Sequence, residues 1–406
     1  MTTLERVEAL VIGAGPAGLL AAREMARKGL EVTVIEEHLE IGEPNHCAGL
    51  LSIEGLKRIG VEASPSYIQN SVKGGRVISP GGTIIELKDT RDRAYVVDRA
   101  AFDRNLAEQA VDLGADIRKG LRVRELVLKD GRVEGAKGRD WEFRADVTID
   151  AEGGARTLAG QLGLIREGGG ALIGVNVEVS GVEVEPEMVE VWLGSSIAPG
   201  FFAWVIPLGD GEARCGLACK TGDAQERLER FVKKRFRNGE MGAIRGGLVF
   251  TGGPLKRTYG DGIILVGDAA GQTKPTTGGG VILGGLCAIE AGRIAADALE
   301  RGNTSSSFLR SYQESWRKSL GREFSHMLAA RRLFERLSDH QIDNLFRVVK
   351  EEECIGELLK SQLQGADLDM QSGIISLVLK EPWLNMILLK SLGSMALETV
   401  KRGLGI

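Results

Sequence analysis

From residue 7 to about 36 the chain reads VEALVIG, then AGPAGLLAAREMARKG, then LEVTVIEE. The pattern predicts a strand, a turn, a helix and a second strand, and the strands are apolar throughout, as buried parallel strands are. Another helix is expected at about Ala100–Leu113, followed from Arg122 to Ile149 by a meander in which Asp130-Gly131 is a strong hairpin signal. The run DVTIDAEGG is expected to return to the first sheet. Between about Ala171 and Thr251 the period changes to strict alternation, in ALIGVNVEV, EMVEVWLG, FFAWVIPL and ARCGLAC. That change predicts a separate antiparallel sheet that faces a ligand. Residues 255–300 resume the first style with DGIILVGDAAG and a long helix, and beyond the polar stretch Asn303–Ser307 the chain reads as helical. No internal repeat is visible.

Composition narrows the function classes. With 43% apolar and 27% charged residues in 406, the chain is of the soluble globular type. Val191–Gly209 is long and uncharged, but Pro199, Gly200 and Pro207 would break a membrane helix there. A net charge of −4 argues against a broad nucleic-acid surface. The five cysteines (Cys47, Cys215, Cys219, Cys287, Cys354) lack CxxC spacing, so no metal centre is expected and a reducing, cytoplasmic setting is. Glycine, 56 residues against 10 prolines, is about twice its ordinary share, which suggests tight turns and close backbone approach to a ligand.

Three segments carry that chemistry. Gly13-Ala14-Gly15-Pro16-Ala17-Gly18 is a GxGxxG between strand and helix, where glycines admit a tight turn and bring a pyrophosphate to the helix N-terminus. Glu36 ends the second strand at the right distance to accept from a ribose hydroxyl. Asp150 to Arg156 closes a strand and opens a helix, and Gly267-Asp268-Ala269-Ala270-Gly271 is expected to do the same. There Asp268 can hold a ribitol hydroxyl, and the amides of Gly278–Val281 can stabilise negative charge on a reduced ring. The fold expected is α/β (α+β), with a Rossmann-like dinucleotide domain made discontinuously of residues 1–75, 95–165 and 255–300. An antiparallel-sheet substrate domain is expected over 76–94 and 166–254, and a helical C-terminal region over 305–406.

In this order the three segments resemble the dinucleotide signatures of the para-hydroxybenzoate-hydroxylase class of FAD proteins, and Asp98-Arg99 before a helix fits that class. Pro44-Asn45-His46-Cys47-Ala48-Gly49-Leu50 and Phe202-Ala203-Trp204-Val205-Ile206-Pro207 are further similar to the cysteine loop and lipid-cavity signature of the geranylgeranyl reductase family. The resemblance implies that Gly13, Gly15, Ala17, Gly18, Glu36, Cys47, Ala48, Gly49, Leu50, Arg99, Val123, Asp268, Gly280 and Val281 contact FAD. It further implies that Phe202, Trp204 and Pro207 line the substrate cavity. Cys47 is the catalytic candidate, positioning an alkene or helping deliver its proton, beside the ordinary reading of a packed thiol. Cys215 and Cys219 share one strand parity and read as core.

The activity so implied is FAD-dependent saturation of geranylgeranyl C=C bonds, on archaeal ether phospholipids. Its partners would be a prenylated lipid and a reduced electron donor, ferredoxin or NAD(P)H. FxWxIP also resembles the halogenase WxWxIP, so a flavin monooxygenase or halogenase is the alternative, and a non-enzymatic prenyl-lipid escort the third. The apolar tail from Ile374 to Val400 reads as a core helix pair, or as a segment that closes a lipid tunnel or rests peripherally on a bilayer.

Overall fold

The structure, a computed structural model, describes residues 3–165, 170–351 and 366–380. The chain opens with β1 (Thr3–Ile12), α1 (Pro16–Arg27) and β2 (Val32–Glu36). Both strands bury their apolar runs and pair in parallel, with α1 as the crossover that parallel pairing needs. Next come β3 (Leu50–Ser52), α2 (Ile53–Arg58), β4 (Ile68–Val72), β5 (Gly74–Ile78), β6 (Ile84–Lys88) and β7 (Ala94–Val97). The Asp98 side chain caps α3 (Arg99–Asp112) by accepting from the amides of Ala100 and Ala101. After β8 (Asp116–Lys119), β9 (Glu125–Lys129) and β10 (Arg132–Lys137) form the expected hairpin, with Asp130 and Gly131 both at positive φ (49° and 81°). β11 (Trp141–Asp150) then lies parallel to β1, and a one-turn 3-10 helix leads to α4 (Thr157–Gln161).

The alternating segment forms β12 (Ala171–Ser180), β13 (Met188–Leu193), β14 (Phe202–Gly209) and β15 (Glu212–Cys219), then α5 (Ala224–Arg235), β16 (Glu240–Met241) and β17 (Arg245–Phe250). The chain re-enters the first sheet through β18 (Tyr259–Gly260) and β19 (Ile263–Leu265), and continues into α6 (Val281–Glu300), α7 (Ser306–Phe334), α8 (Asp339–Glu351) and α9 (Ser372–Lys380).

Three sheets result. The order β18-β19-β11-β1-β2-β8 is parallel from β19 to β8, and helices α1, α6 and α7 bury its central strands in the largest core. A second sheet runs β16-β12-β15-β14-β13-β5-β6, with α5 packed on its outer face. The hairpin β5–β6 therefore joins the distant alternating strands. A three-stranded sheet, β3-β7-β4, lies between the two and packs Val72, Ala94 and Val96 against Ile206 and Leu208 of β14.

One expectation needs correcting. Asp268 does follow a strand, but no helix opens there: Gly267–Gly280 is an irregular loop, and α6 starts only at Val281. Pro275 and three consecutive glycines delay it, because proline lacks an N–H and glycine disfavours helix. Residues before α9 cross this loop: Lys274 Nζ donates to Asp369 Oδ1 (2.8 Å) and Thr276 Oγ1 to Gln371 Oε1 (2.7 Å). The part of the apolar tail from residue 381 onward, and Cys354, lie outside the described residues. Among the described residues no helix is long and apolar enough to cross a membrane.

Candidate functional site

The C-terminal ends of β1, β2, β11 and β19 converge where a parallel sheet places its ligands. Gly13 follows β1 at φ 100°, and a methyl there would lie 2.4 Å from the Ala151 carbonyl oxygen. Gly18, in the first turn of α1, is packed so closely that its own methyl would stand 1.9 Å from the Gly13 oxygen. Gly15 differs, since it caps α1 and a methyl on it would meet nothing within 4 Å. Two of the glycines thus close the turn, while the third leaves free space over the helix N-terminus.

Glu36 closes that space on one side. Its carboxylate accepts from Ala14 N (2.8 Å) and His38 N (3.0 Å), and His38 Nδ1 lies 2.7 Å away. Ala17 sits beside Gly267 at the start of the long loop. Asp268, next in that loop, comes so near the Gly280 backbone that a methyl on Gly280 would stand 2.6 Å from its Oδ1. Burial raises the Asp268 carboxyl above its usual value, against the pull of Arg156, Arg99 and His46. Arg156, in left-handed backbone conformation, lies 3.6 Å over the Phe250 ring and donates Nε to the Asp268 carbonyl (2.8 Å).

The Cys47 loop forms the other wall. Cys47 is half-buried, its sulfur accepts from Gly49 N at 3.4 Å, and it lies near enough to Arg99 to act on its charge. Arg99 makes a two-pronged pair with Asp103 (Nε and Nη2, both 3.1 Å). Burial alone would lower the Arg99 pKa; Asp103 and then Cys47 outweigh it and hold the guanidinium protonated. Leu50 begins β3, Val281 begins α6, and Val123 packs at the margin of the core beyond β2.

Two residues that the sequence did not single out hold this loop. Arg214 of β15, 5% exposed, donates Nη1 to the carbonyls of Ala48 (3.1 Å) and Val97 (3.3 Å), and Nη2 to Gln69 (3.0 Å) and Glu178 (2.7 Å). Asn176 of β12 donates to the His46 carbonyl (2.6 Å) and accepts from Trp204 Nε1 (3.1 Å). One asparagine therefore links the indole to the cysteine loop.

Along β14, Phe202, Trp204 and Ile206 face the nucleotide domain, whereas Ala203 and Val205 face α5. Phe202 stacks on Phe201 at 4.1 Å, and with Leu172, Trp204 and Val249 these rings form an apolar wall. A methyl on Gly278 would stand 2.3 Å from Val249 Cγ1, so the wall abuts the Gly267–Gly280 loop. Pro207 does not belong to this wall. It pairs with Ala213 in the same parity as Ala203 and Val205, which turns it to the α5 face. Cys215 and Cys219 are fully buried there, as expected, and burial pushes the Cys215 thiol up to about 12.

Asp150, beside Gly13 at the end of β11, is fully buried. Burial, reinforced by Glu152, raises its carboxyl well above the ordinary range, and its Oδ2 has no partner among the described residues. A carboxyl whose folded pKa exceeds its unfolded one costs stability as pH rises through the folded value. Asp150→Asn keeps an acceptor for the Glu152 amide, now 3.1 Å from Oδ1, and removes that cost. Thermal melts of the apoprotein should show the variant more stable than the parent by about 1–3 kcal/mol at pH 8 and by less at pH 5.

The site fits FAD on three observations: the open space above Gly15, the Asp268 carboxylate that accepts no hydrogen bond from the described residues, and the buried Arg156 Nη2 without a partner among them. The fold and site thus define a flavoprotein with a Rossmann-like nucleotide domain. The model of the FAD binding domain family matches residues 6–240. Digeranylgeranylglycerophospholipid reductases of Methanosarcina acetivorans and Methanothermobacter thermautotrophicus are each 36% identical, over 85% and 84% of this chain and 88% and 91% of theirs. The chain belongs to the digeranylgeranylglycerophospholipid reductase family, and FAD is its cofactor. Among solved structures, a geranylgeranyl bacteriochlorophyll reductase-like protein from Thermoplasma acidophilum superposes with TM-score 0.85 at 26% identity, over 98% of this chain and all of that one. A flavin-dependent brominase shares the fold (TM-score 0.67, 19% identity, 94% of this chain and 100% of that one).

Proposed function

We propose that this protein is an FAD-dependent reductase that saturates the C=C bonds of geranylgeranyl chains on digeranylgeranylglycerophospholipids. The observation that carries the reading is the apolar wall of Phe202, Trp204 and Val249 set directly against the Gly267–Gly280 loop and facing the nucleotide domain. An aromatic and aliphatic surface there suits a prenyl chain, and it excludes water from the reacting bond. Bound FAD, once reduced, supplies the two electrons each alkene consumes.

The protein's own part is placement. An isolated alkene is a poor acceptor, so orientation matters more than any single polar group. Trp204 is fixed through Asn176 to the His46 carbonyl, which ties the wall to the Cys47 loop. Gly49 N donates to the Cys47 sulfur and holds it where, in this reading, Sγ positions the alkene or passes it a proton. Gly13, Gly15, Ala17, Gly18, Glu36, Cys47, Ala48, Gly49, Leu50, Arg99, Val123, Asp268, Gly280 and Val281 are proposed as the FAD contacts. Phe202 and Trp204 are proposed as substrate contacts, without Pro207. A reduced ferredoxin or NAD(P)H is proposed to reload the cofactor, and peripheral membrane contact to present the lipid.

Anaerobic incubation of dithionite-reduced holoprotein with a digeranylgeranylglycerophospholipid tests the reading. Stepwise gain of hydrogen pairs by the lipid, with reoxidation of the flavin, is expected. An unchanged lipid beside a reducible flavin would refute it and favour an oxygen-dependent monooxygenase or halogenase. In the same assay Trp204→Ala should lower turnover at least tenfold with FAD still bound, since it removes the indole and frees Asn176. Loss of flavin from that variant would instead make Trp204 structural.

A further inference from the structure

A cavity of about 490 Å³ opens between α1, α6 and α7, floored by Ile59 at the end of α2 and edged by Met370. It lies away from the nucleotide end of the fold. Arg23 is about 12 Å along α1 from Gly15, and Arg293 about 18 Å along α6 from Val281, at 1.5 Å per residue. Its apolar side is built of Leu286, Ile289, Trp316, Leu320 and Met370. Its polar side carries Arg23, Arg27, Arg58 and Arg293 against only Glu24 and Glu290.

The charges do not cancel. Glu24 is shared by three guanidiniums, at 2.7 Å from Arg27, 3.7 Å from Arg293 and 3.8 Å from Arg23. Among the described residues Arg293 has otherwise only Glu290, at 3.9 Å. Arg58 pairs with Asp367 outside the lining, while within the lining four guanidiniums face two carboxylates among the described residues. Arg23 is 3% exposed, and its Nε has no acceptor among the described residues. A buried guanidinium N–H without an acceptor, at the wall of a cavity, calls for an anion or an ordered polar group.

We propose that this cavity is a second, non-catalytic site for a phosphate-bearing amphiphile. Arg27, Arg58 and Arg293 approach from three elements and take the head, and Leu286, Ile289 and Leu320 take the first methylenes of the chain. Guanidinium forks match phosphate oxygens, and three of them around one head suit a tetrahedral anion. The apolar side distinguishes the site from a simple anion trap. None of these residues contributes to the cleft at Gly15, Asp268 and Cys47.

Calorimetric titration of FAD holoprotein with dodecyl phosphate tests this, with inorganic phosphate and dodecyl maltoside as the head alone and the chain alone. Dodecyl phosphate should bind at least tenfold more tightly than either. The Arg27→Gln/Arg293→Gln double variant and the cavity-filling Leu286→Trp should each lose at least tenfold, with flavin content and melting temperature retained. A variant that fails those two controls is replaced by the other, since one acts on charge and the other on space. An unchanged affinity in the folded variants overturns the proposal, as does equal binding of phosphate or maltoside. So does binding that always perturbs the flavin spectrum, which would place the ligand in the catalytic cleft. Cosedimentation with phosphatidylglycerol vesicles separates the sources. If the double variant loses it, the head belongs to a bilayer lipid; if it does not, while dodecyl phosphate binding falls, a soluble phosphate ester is the ligand.

Discussion

Arg214→Met is expected to lower lipid turnover at least tenfold and to destabilise the fold by roughly 2–5 kcal/mol. Methionine fills a similar volume, but it leaves the carbonyls of Ala48 and Val97 without their donors, each costing about 1–3 kcal/mol where burial excludes water, whereas the exposed Gln69 turns to solvent. Glu178 would be left unpaired too, yet its side chain is 59% exposed and water takes over at little cost. The functional loss follows from geometry. Ala48 and Val97 flank the Cys47 loop and the start of α3, so without the guanidinium the sulfur and Arg99 lose their common frame. Arg214→Lys keeps a charge but cannot fork to four acceptors, and should recover only part of the turnover. Glu178→Gln should be nearly neutral. Turnover per bound flavin, measured on folded holoprotein, separates this from simple instability. If Arg214→Met reduces every alkene at the parent rate once FAD is bound, Arg214 does not position the loop.

The reason Arg214 escapes a reading of the sequence is its range. Its partners lie 166 residues away at Ala48 and 117 away at Val97, and Asn176 is 130 residues from His46. Periodicity reports which face of a strand is buried, not what lies across it. There is nonetheless a local sign: Arg214 and Asn176 are polar residues inside mostly apolar strands, where an unpaired polar group is costly. The placement of Pro207 was legible as well. In FAWVIP the alternation puts Pro207 with Ala203 and Val205, opposite Trp204, and reading the motif as one block concealed it. By contrast β1, α1, β2 and the Asp130-Gly131 hairpin were readable because each is fixed locally, by continuous apolar runs and by a turn that needs positive φ twice. The loop from Gly267 to Gly280 fell between these cases, since its glycines signalled a ligand but also delayed the helix expected at once after Asp268.

The three glycines of the first turn should separate folding from cofactor binding. In Gly18→Ala the new methyl meets the Gly13 carbonyl at 1.9 Å, and both atoms belong to backbone that the β1–α1 packing holds, so neither side can yield cheaply. Loss of soluble folded protein is expected, with or without added FAD. Gly15→Ala meets no protein atom within 4 Å, and the φ of −78° suits any residue, so the apoprotein should melt within about 1 kcal/mol of the parent. Its FAD affinity should nevertheless fall at least tenfold, because the methyl occupies the space through which the pyrophosphate approaches the α1 amides. Differential scanning fluorimetry of the apoprotein and fluorescence titration with FAD make the comparison. Parental FAD affinity in Gly15→Ala would mean that the open space serves something other than the cofactor. A folded, FAD-loaded Gly18→Ala would mean that the turn relaxes far more readily than its backbone contacts allow.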